Sequence, residues 1–168
     1  WIILILGINS IFAQDQTSPK SFNYERLKGQ YEQMINNPYI LMPYKGNYFL
    51  PVSYNDNPNH EVFEKIEDGL EDEDRGKFTK HLESEFQISF MALTNNNIFG
   101  TKFNTFLGYT HRAYWQMYNE EWSRPFRETN YNPEAFARYI FDEPVNVLGL
   151  KLVAYDIGVE HESNGQVQ

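Results

Sequence analysis

From Leu148 to Ser163 the chain alternates between two kinds of residue. One set of alternate positions, Gly149, Lys151, Val153, Tyr155, Ile157, Val159, His161 and Ser163, is mostly apolar until its last two members; the other, Leu150, Leu152, Ala154, Asp156, Gly158, Glu160 and Glu162, carries the acids. Residues two apart share a face of a strand, so the spacing predicts a strand over 147–163 whose apolar side ends in a histidine and a serine. Over 101–118, Phe103, Leu107, Tyr109, His111, Ala113, Trp115 and Met117 oppose Asn104, Gly108, Thr110, Arg112 and Gln116. Over 131–142, Tyr131, Ala135, Ala137, Tyr139 and Phe141 oppose Asn132, Glu134 and Arg138. Over 84–95, Phe86, Ile88, Phe90 and Ala92 form one face, while Met91 and Leu93 add apolar residues to the other. A further strand is expected over 39–54, giving about five in all.

The connections alternate in length. The first is long and acidic, the second is the tight Asn95-Asn96-Asn97 region, the third runs from Asn119 to Asn130, and the fourth is a turn at Asp142-Glu143-Pro144. Long and short links in turn, joining strands apolar outside and polar inside, are the pattern of an all-β, transmembrane antiparallel barrel. A soluble β-barrel with its apolar face inward and lipid inside has the same periodicity, so alternation by itself does not separate the two. If the first strand rises from the periplasm, His161 and Ser163 lie near the outer end of theirs, and the loop carrying Ser123 emerges on the same side.

Composition favours the membrane barrel. Mean hydropathy is low, yet aromatics make up 17%, with 13 Phe and 12 Tyr; interfacial aromatic girdles on half-polar strands give that combination. The chain opens on Trp1-Ile2-Ile3-Leu4-Ile5-Leu6, passes Ala13, and turns polar at Gln14-Asp15-Gln16. That run is too short to span a bilayer and fits a signal peptide over 1–13, followed by a periplasmic lead-in over 14–38 and the barrel over 39–168. A core strand is the other reading of the apolar run. Zero cysteines exclude disulfides and thiol nucleophiles, so any nucleophile is an oxygen. A net charge of -9 argues against nucleic acid as a partner. Much of the acidity falls between Glu61 and Arg75, a run that reads as a solvated loop and lacks the glycine spacing of a calcium loop. His60 and His81 flank it as loop residues, and the four histidines lack zinc-ligand spacing.

A serine with a histidine two residues away on a strand has the parts of an activated nucleophile, since alpha carbons two apart sit roughly 6.6 Å from each other. By itself the pair is commonplace. On an apolar, lipid-facing side, where polar groups are costly, it becomes a candidate site.

Three segments carry a resemblance: Tyr109-Thr110-His111 through Trp115-Gln116; Ser123-Arg124-Pro125-Phe126-Arg127-Glu128-Thr129-Asn130-Tyr131; and His161-Glu162-Ser163-Asn164-Gly165. Together they resemble the outer membrane phospholipase A family of Gram-negative bacteria, most clearly from Gly108 to Gly165. The resemblance implies a twelve-stranded barrel, of which this chain would hold about five strands, with a calcium-dependent hydrolase site on its outer, lipid-facing surface and activity as a homodimer. It implies Ser163 as nucleophile, His161 as general base and the Gly165 main-chain N–H as an oxyanion donor, with an orienting asparagine beyond Gln168. For Ca2+ it implies Ser123 and the main-chain carbonyl of Gln166, the remaining ligands lying past Gln168. His111 stands where the family commonly has a glutamine, and an interfacial histidine is its plainer reading. The implied activity is hydrolysis of the sn-1 and sn-2 esters of phospholipids and lysophospholipids in the outer membrane, and this segment alone is expected to be inactive. The competing reading is a non-catalytic outer-membrane barrel, a channel or scaffold.

Overall fold

The computed structural model describes residues 2–3, 23–37, 39–58, 79–120 and 126–164. The acidic run 61–75, His60, Ser123, Gly165 and Gln166 lie outside the described residues, as does all of the expected signal peptide but Ile2–Ile3. The elements are β1 (Ile2–Ile3), α1 (Tyr24–Ile35), β2 (Leu41–Pro43), β3 (Tyr48–Tyr54), β4 (Leu82–Asn95), β5 (Phe103–Trp115), β6 (Phe126–Val147) and β7 (Leu150–His161). The strands follow the order β1-β7-β6-β5-β4-β2, with β3 also on β4. Every pairing with a resolved register is antiparallel. No helix among the described residues is long and apolar enough to cross a membrane.

Three differences from the sequence reading have local causes. The strand expected over 39–54 is two strands, because the side chain of Asn47 takes over ladder positions: Ser89 N–H donates to Asn47 Oδ1 at 2.6 Å and Asn47 Nδ2 donates to Ser89 O at 3.1 Å. The turn expected at Asp142-Glu143-Pro144 lies inside β6. The reversal falls at Leu148 (φ 51°) and Gly149 (φ 83°), where two left-handed residues match the twist of a two-residue hairpin. Pro144 is accommodated because the β6–β7 register shifts between Ile140 and Val145, leaving no ladder bond for it to break. Last, α1 occupies part of what reads as a plain lead-in. Asn23 caps it, accepting from Arg26 N–H at 3.0 Å, and Glu25 sits in its first turn.

The chain divides into two compact units, residues 1–44, 90–109 and 133–161 forming the first and residues 45–89, 110–132 and 162–168 the second. In the first, Met42, Met91, Leu93, Phe106 and Phe136 form a buried cluster, with Tyr31, Met34 and Ile35 of α1 and Tyr44 packed against it. Met91 and Leu93, which blur the alternation of β4, are therefore core residues. Helix α1 is held by Tyr24 Oη donating to the Phe141 carbonyl, by Asn104 Nδ2 donating to Tyr31 Oη at 3.0 Å, and by Lys28 beside Asp142 at 3.5 Å. A cavity of about 240 Å³ separates it from β6 and β7. Val153, expected on the outward side, is 5% exposed and lines that cavity; the nearby register shift turns it inward. The other side of this unit carries Phe103, Tyr139, Phe141 and Tyr155, with ring centroids 5.3 to 5.8 Å apart. Gly158 admits the close pairing of β6 and β7, since a Cβ there would meet Ala135 O at 2.5 Å.

The second unit buries polar groups instead. Glu83, Ser84, Gln87, Ser89, Thr110, Gln116, Arg127 and Asn132 are all buried, and Ser89 Oγ and Thr110 Oγ1 share a hydrogen bond of 2.8 Å.

Candidate functional site

Ser163 is held in the second unit by a pair of main-chain bonds. Tyr131 N–H donates to Ser163 O at 2.8 Å and Ser163 N–H donates to Tyr131 O at 3.0 Å. Each residue satisfies the other's main-chain groups, which fixes Ser163 beside Tyr131 on β6. The Tyr131 ring lies 5.2 Å from the His111 imidazole, which lies 5.9 Å from Phe86; Phe126 packs on Phe86 at 6.2 Å and on Trp115 at 5.7 Å. Ser163 thus sits in the ladder next to a belt of aromatic rings. His111, expected on the outward face, is part of that belt, half-buried between the Phe86 and Tyr131 rings.

His161 ends β7 in the first unit, exposed, and pairs with Ile2 in the ladder. In the last five residues of β7, Ile157, Val159 and His161 are exposed and Gly158 and Glu160 less so, which is the alternation expected from the sequence. Asp156, on the opposite side from His161, receives both Nε and Nη2 of Arg138 at 2.8 Å. His81, expected as a solvated loop residue, is exposed but anchored: its Nδ1 lies 2.8 Å from Asn55 O and its ring stacks on Tyr54.

What the sequence reading missed is a buried charged group on β6, four residues before Ser163's strand partner Tyr131. Arg127 donates from Nε to Glu83 Oε2 and from Nη2 to Glu83 Oε1, both at 2.8 Å, with side chains only 6% and 2% exposed. Gln116 Nε2 donates to Glu83 Oε2 at 2.9 Å, and its Oε1 accepts from Lys80 N–H at 2.7 Å. The Arg127 guanidinium also lies 4.8 Å over the Tyr114 ring. Parity marks Gln116 as inward-facing; for Arg127 no signal short of the fold identifies a partner 44 residues away.

The residues implied for calcium, Ser123 and the Gln166 carbonyl, lie outside the described residues, and among the described residues no group of three or more His, Asp or Glu is arranged to hold a metal ion. The donors on offer are both neutral oxygens. Such donors suit a hard cation, and calcium takes six to eight oxygens, so the two would supply only part of its ligand set.

The sequence model of a family described as Phospholipase A1 matches residues 24–168. A putative phospholipase A1 of Neisseria meningitidis serogroup B is 34% identical over 123 residues, 71% of this chain and 31% of the relative. The phospholipase A1 of Escherichia coli is 29% identical over 173 residues, 99% of this chain and 56% of the relative. Among solved structures, outer membrane phospholipase A from Escherichia coli superimposes with a TM-score of 0.67 at 28% identity, covering 82% of this chain and 51% of that one. The Salmonella typhi outer membrane phospholipase, a dimer with bound calcium, gives 0.65 at 28% identity, covering 82% and 50%. The chain spans about half the length or less of the relatives it matches.

Proposed function

The chain belongs to the phospholipase A1 family, and from that premise we propose that the whole protein is a calcium-dependent outer-membrane phospholipase, cleaving sn-1 and sn-2 acyl esters of phospholipids and lysophospholipids through a serine acyl-enzyme. The fold is that of the matching part of the outer membrane phospholipase A barrel. The observation that carries the reading is Ser163 paired to Tyr131 beside an aromatic belt, two residues along the chain from His161. An acyl chain is apolar and an ester carbonyl is polar, so a serine at the border of such a belt meets both halves of the substrate.

In the proposed reaction Ser163 Oγ attacks the ester carbonyl carbon while its proton passes to the His161 imidazole. The C–O bond to the glycerol then breaks, and the departing alkoxide takes the proton from His161. Water, deprotonated by the same imidazole, attacks the acyl-serine; the bond from the acyl carbon to Ser163 Oγ breaks, the imidazole returns the proton to Oγ, and the fatty acid leaves. The Gly165 main-chain N–H donates to the oxyanion formed at each step. Ser123 and the Gln166 carbonyl would hold calcium, which when bound supplies positive charge near that oxyanion. A homodimer in the outer membrane, as in the Salmonella typhi structure, is the proposed working form.

The test is fatty-acid release by the full-length protein folded in detergent micelles, with and without calcium, beside Ser163→Ala. Calcium-dependent release that falls by about a thousandfold or more in Ser163→Ala is expected, a nucleophile being worth that or more. A folded, dimeric protein releasing no fatty acid would instead leave a channel or scaffold.

A further inference from the structure

The aromatic side of β6 changes parity. Phe126 packs on Phe86 and Trp115, and Tyr131 packs on His111, so both lie with the rings, five positions apart. Arg127 and Asn132, also five apart, are both buried. Strict alternation would put members five apart on opposite faces. One residue is therefore absorbed between Arg127 and Tyr131, as in a bulge, which re-aims the side chains that follow it. Where such a residue is absorbed is poorly specified by hydrophobic pattern: Glu128, Thr129 and Asn130 are all polar and all half-buried.

An ion pair lies immediately before that stretch. A buried pair contributes little net stability, because the desolvation of both charges offsets their attraction, but its geometry is exacting. Here both guanidinium bonds to Glu83 are 2.8 Å, Gln116 fills a further acceptor site on the carboxylate, and Tyr114 covers the guanidinium face. A shift of β6 by one residue would replace Arg127 at that carboxylate with Phe126 or Glu128, leaving a buried acid unpaired or facing another.

We propose that Arg127 and Glu83 are positioning residues for the reaction, setting the register of β6 from Arg127 to Tyr131 and, through the main-chain pair Tyr131–Ser163, the placement of the Ser163 hydroxyl. The inference rests on the proposed role of Ser163 as nucleophile. It assigns the pair to chemistry it never touches. Loss of the pair leaves the belt rings carried by β4 and β5, Phe86, His111 and Trp115, in place, while Tyr131 and the Ser163 hydroxyl lose their aim.

The experiment uses the full-length protein in micelles with four forms: wild type, Ser163→Ala, the double variant Arg127→Met/Glu83→Met, and Arg127→Lys. The double variant removes both charges together and so keeps the fold. It is expected to retain the urea midpoint of the wild type, to keep KM, and to lose kcat by about a hundredfold, the scale of an ångström's misplacement. Arg127→Lys preserves the charge but only one of the two bonds, and is expected to recover about tenfold of that loss, a lysine being a point donor rather than a fork. A double variant with wild-type midpoint and wild-type kcat overturns the proposal. Should the double variant not fold, Arg127→Lys decides: wild-type kcat overturns the proposal, and a lowered kcat at unchanged KM supports it. Failure of the underlying reading is separate, since it shows as wild-type protein without release or Ser163→Ala with full activity.

Discussion

The same three strands, β4, β5 and β6, run through both compact units and bury opposite kinds of residue in them. In the first unit the buried side is Met91, Leu93, Phe106 and Phe136 with α1 against it; in the second it is Glu83, Gln87, Ser89, Thr110, Gln116, Arg127 and Asn132. Apolar contacts are non-directional and scale with area, so the first unit is suited to supply stability. Hydrogen-bonded networks are directional and contribute little net energy per bond, so the second is suited to supply geometry. The proposed nucleophile lies in the second, where a small displacement matters.

The largest expected effect breaks the comparison if it appears in the wrong place. Phe106→Ala removes a ring that is 1% exposed and stacks on Phe136 at 5.3 Å; it should cost about 3–5 kcal/mol of stability with kcat per folded molecule unchanged, read by urea titration and by activity normalised to folded protein. A parallel fall in kcat would erase the division of labour. Gln116→Leu, in the second unit, removes the bond from the Lys80 N–H and one of the two donors to Glu83 Oε2 and should cost about 1–3 kcal/mol, but here kcat should fall too. Gly158→Ala puts a methyl 2.5 Å from Ala135 O and from Phe136 Cβ. Overpacking of that kind costs about 1–3 kcal/mol, and a drop in melting temperature without a change in KM would place the strain in the first unit.

The smallest effect sharpens the account of α1. Burial raises the Tyr31 phenol above its ordinary 10.0, against the opposing hydrogen bond from Asn104. The folded state therefore holds the proton more tightly than the unfolded state. The stability that Tyr31 contributes in this way is complete below about pH 10, the unfolded value, and is lost as pH rises toward the folded one. Tyr31→Phe should cost about 1 kcal/mol at pH 8 and flatten the alkaline decline of the urea midpoint between about pH 9 and about pH 11. An unchanged alkaline slope would mean that α1 is not packed on the Phe106 cluster in solution.

Much of this molecule is local chemistry and was open to reading from the chain. Alternation over 84–95, 101–118, 131–142 and 147–163 sorted most residues of β4 to β7 onto their faces, Val153 and the exposed Arg112 apart, because a strand's period of two is a property of the backbone alone. The three motifs pointed to the family for the same reason, being short runs that need no partner to be recognised. Tertiary structure decided the rest. Met91, Leu93 and Phe106 became core only because α1 covers them, and a helix's docking face is chosen by what it meets. The reversal at Leu148-Gly149 and the inward turn of Val153 depend on a register shift between two strands. Arg127 has its meaning from Glu83, 44 residues earlier. Periodicity is written residue by residue, whereas the identity of a buried charge's partner exists only once distant strands lie side by side.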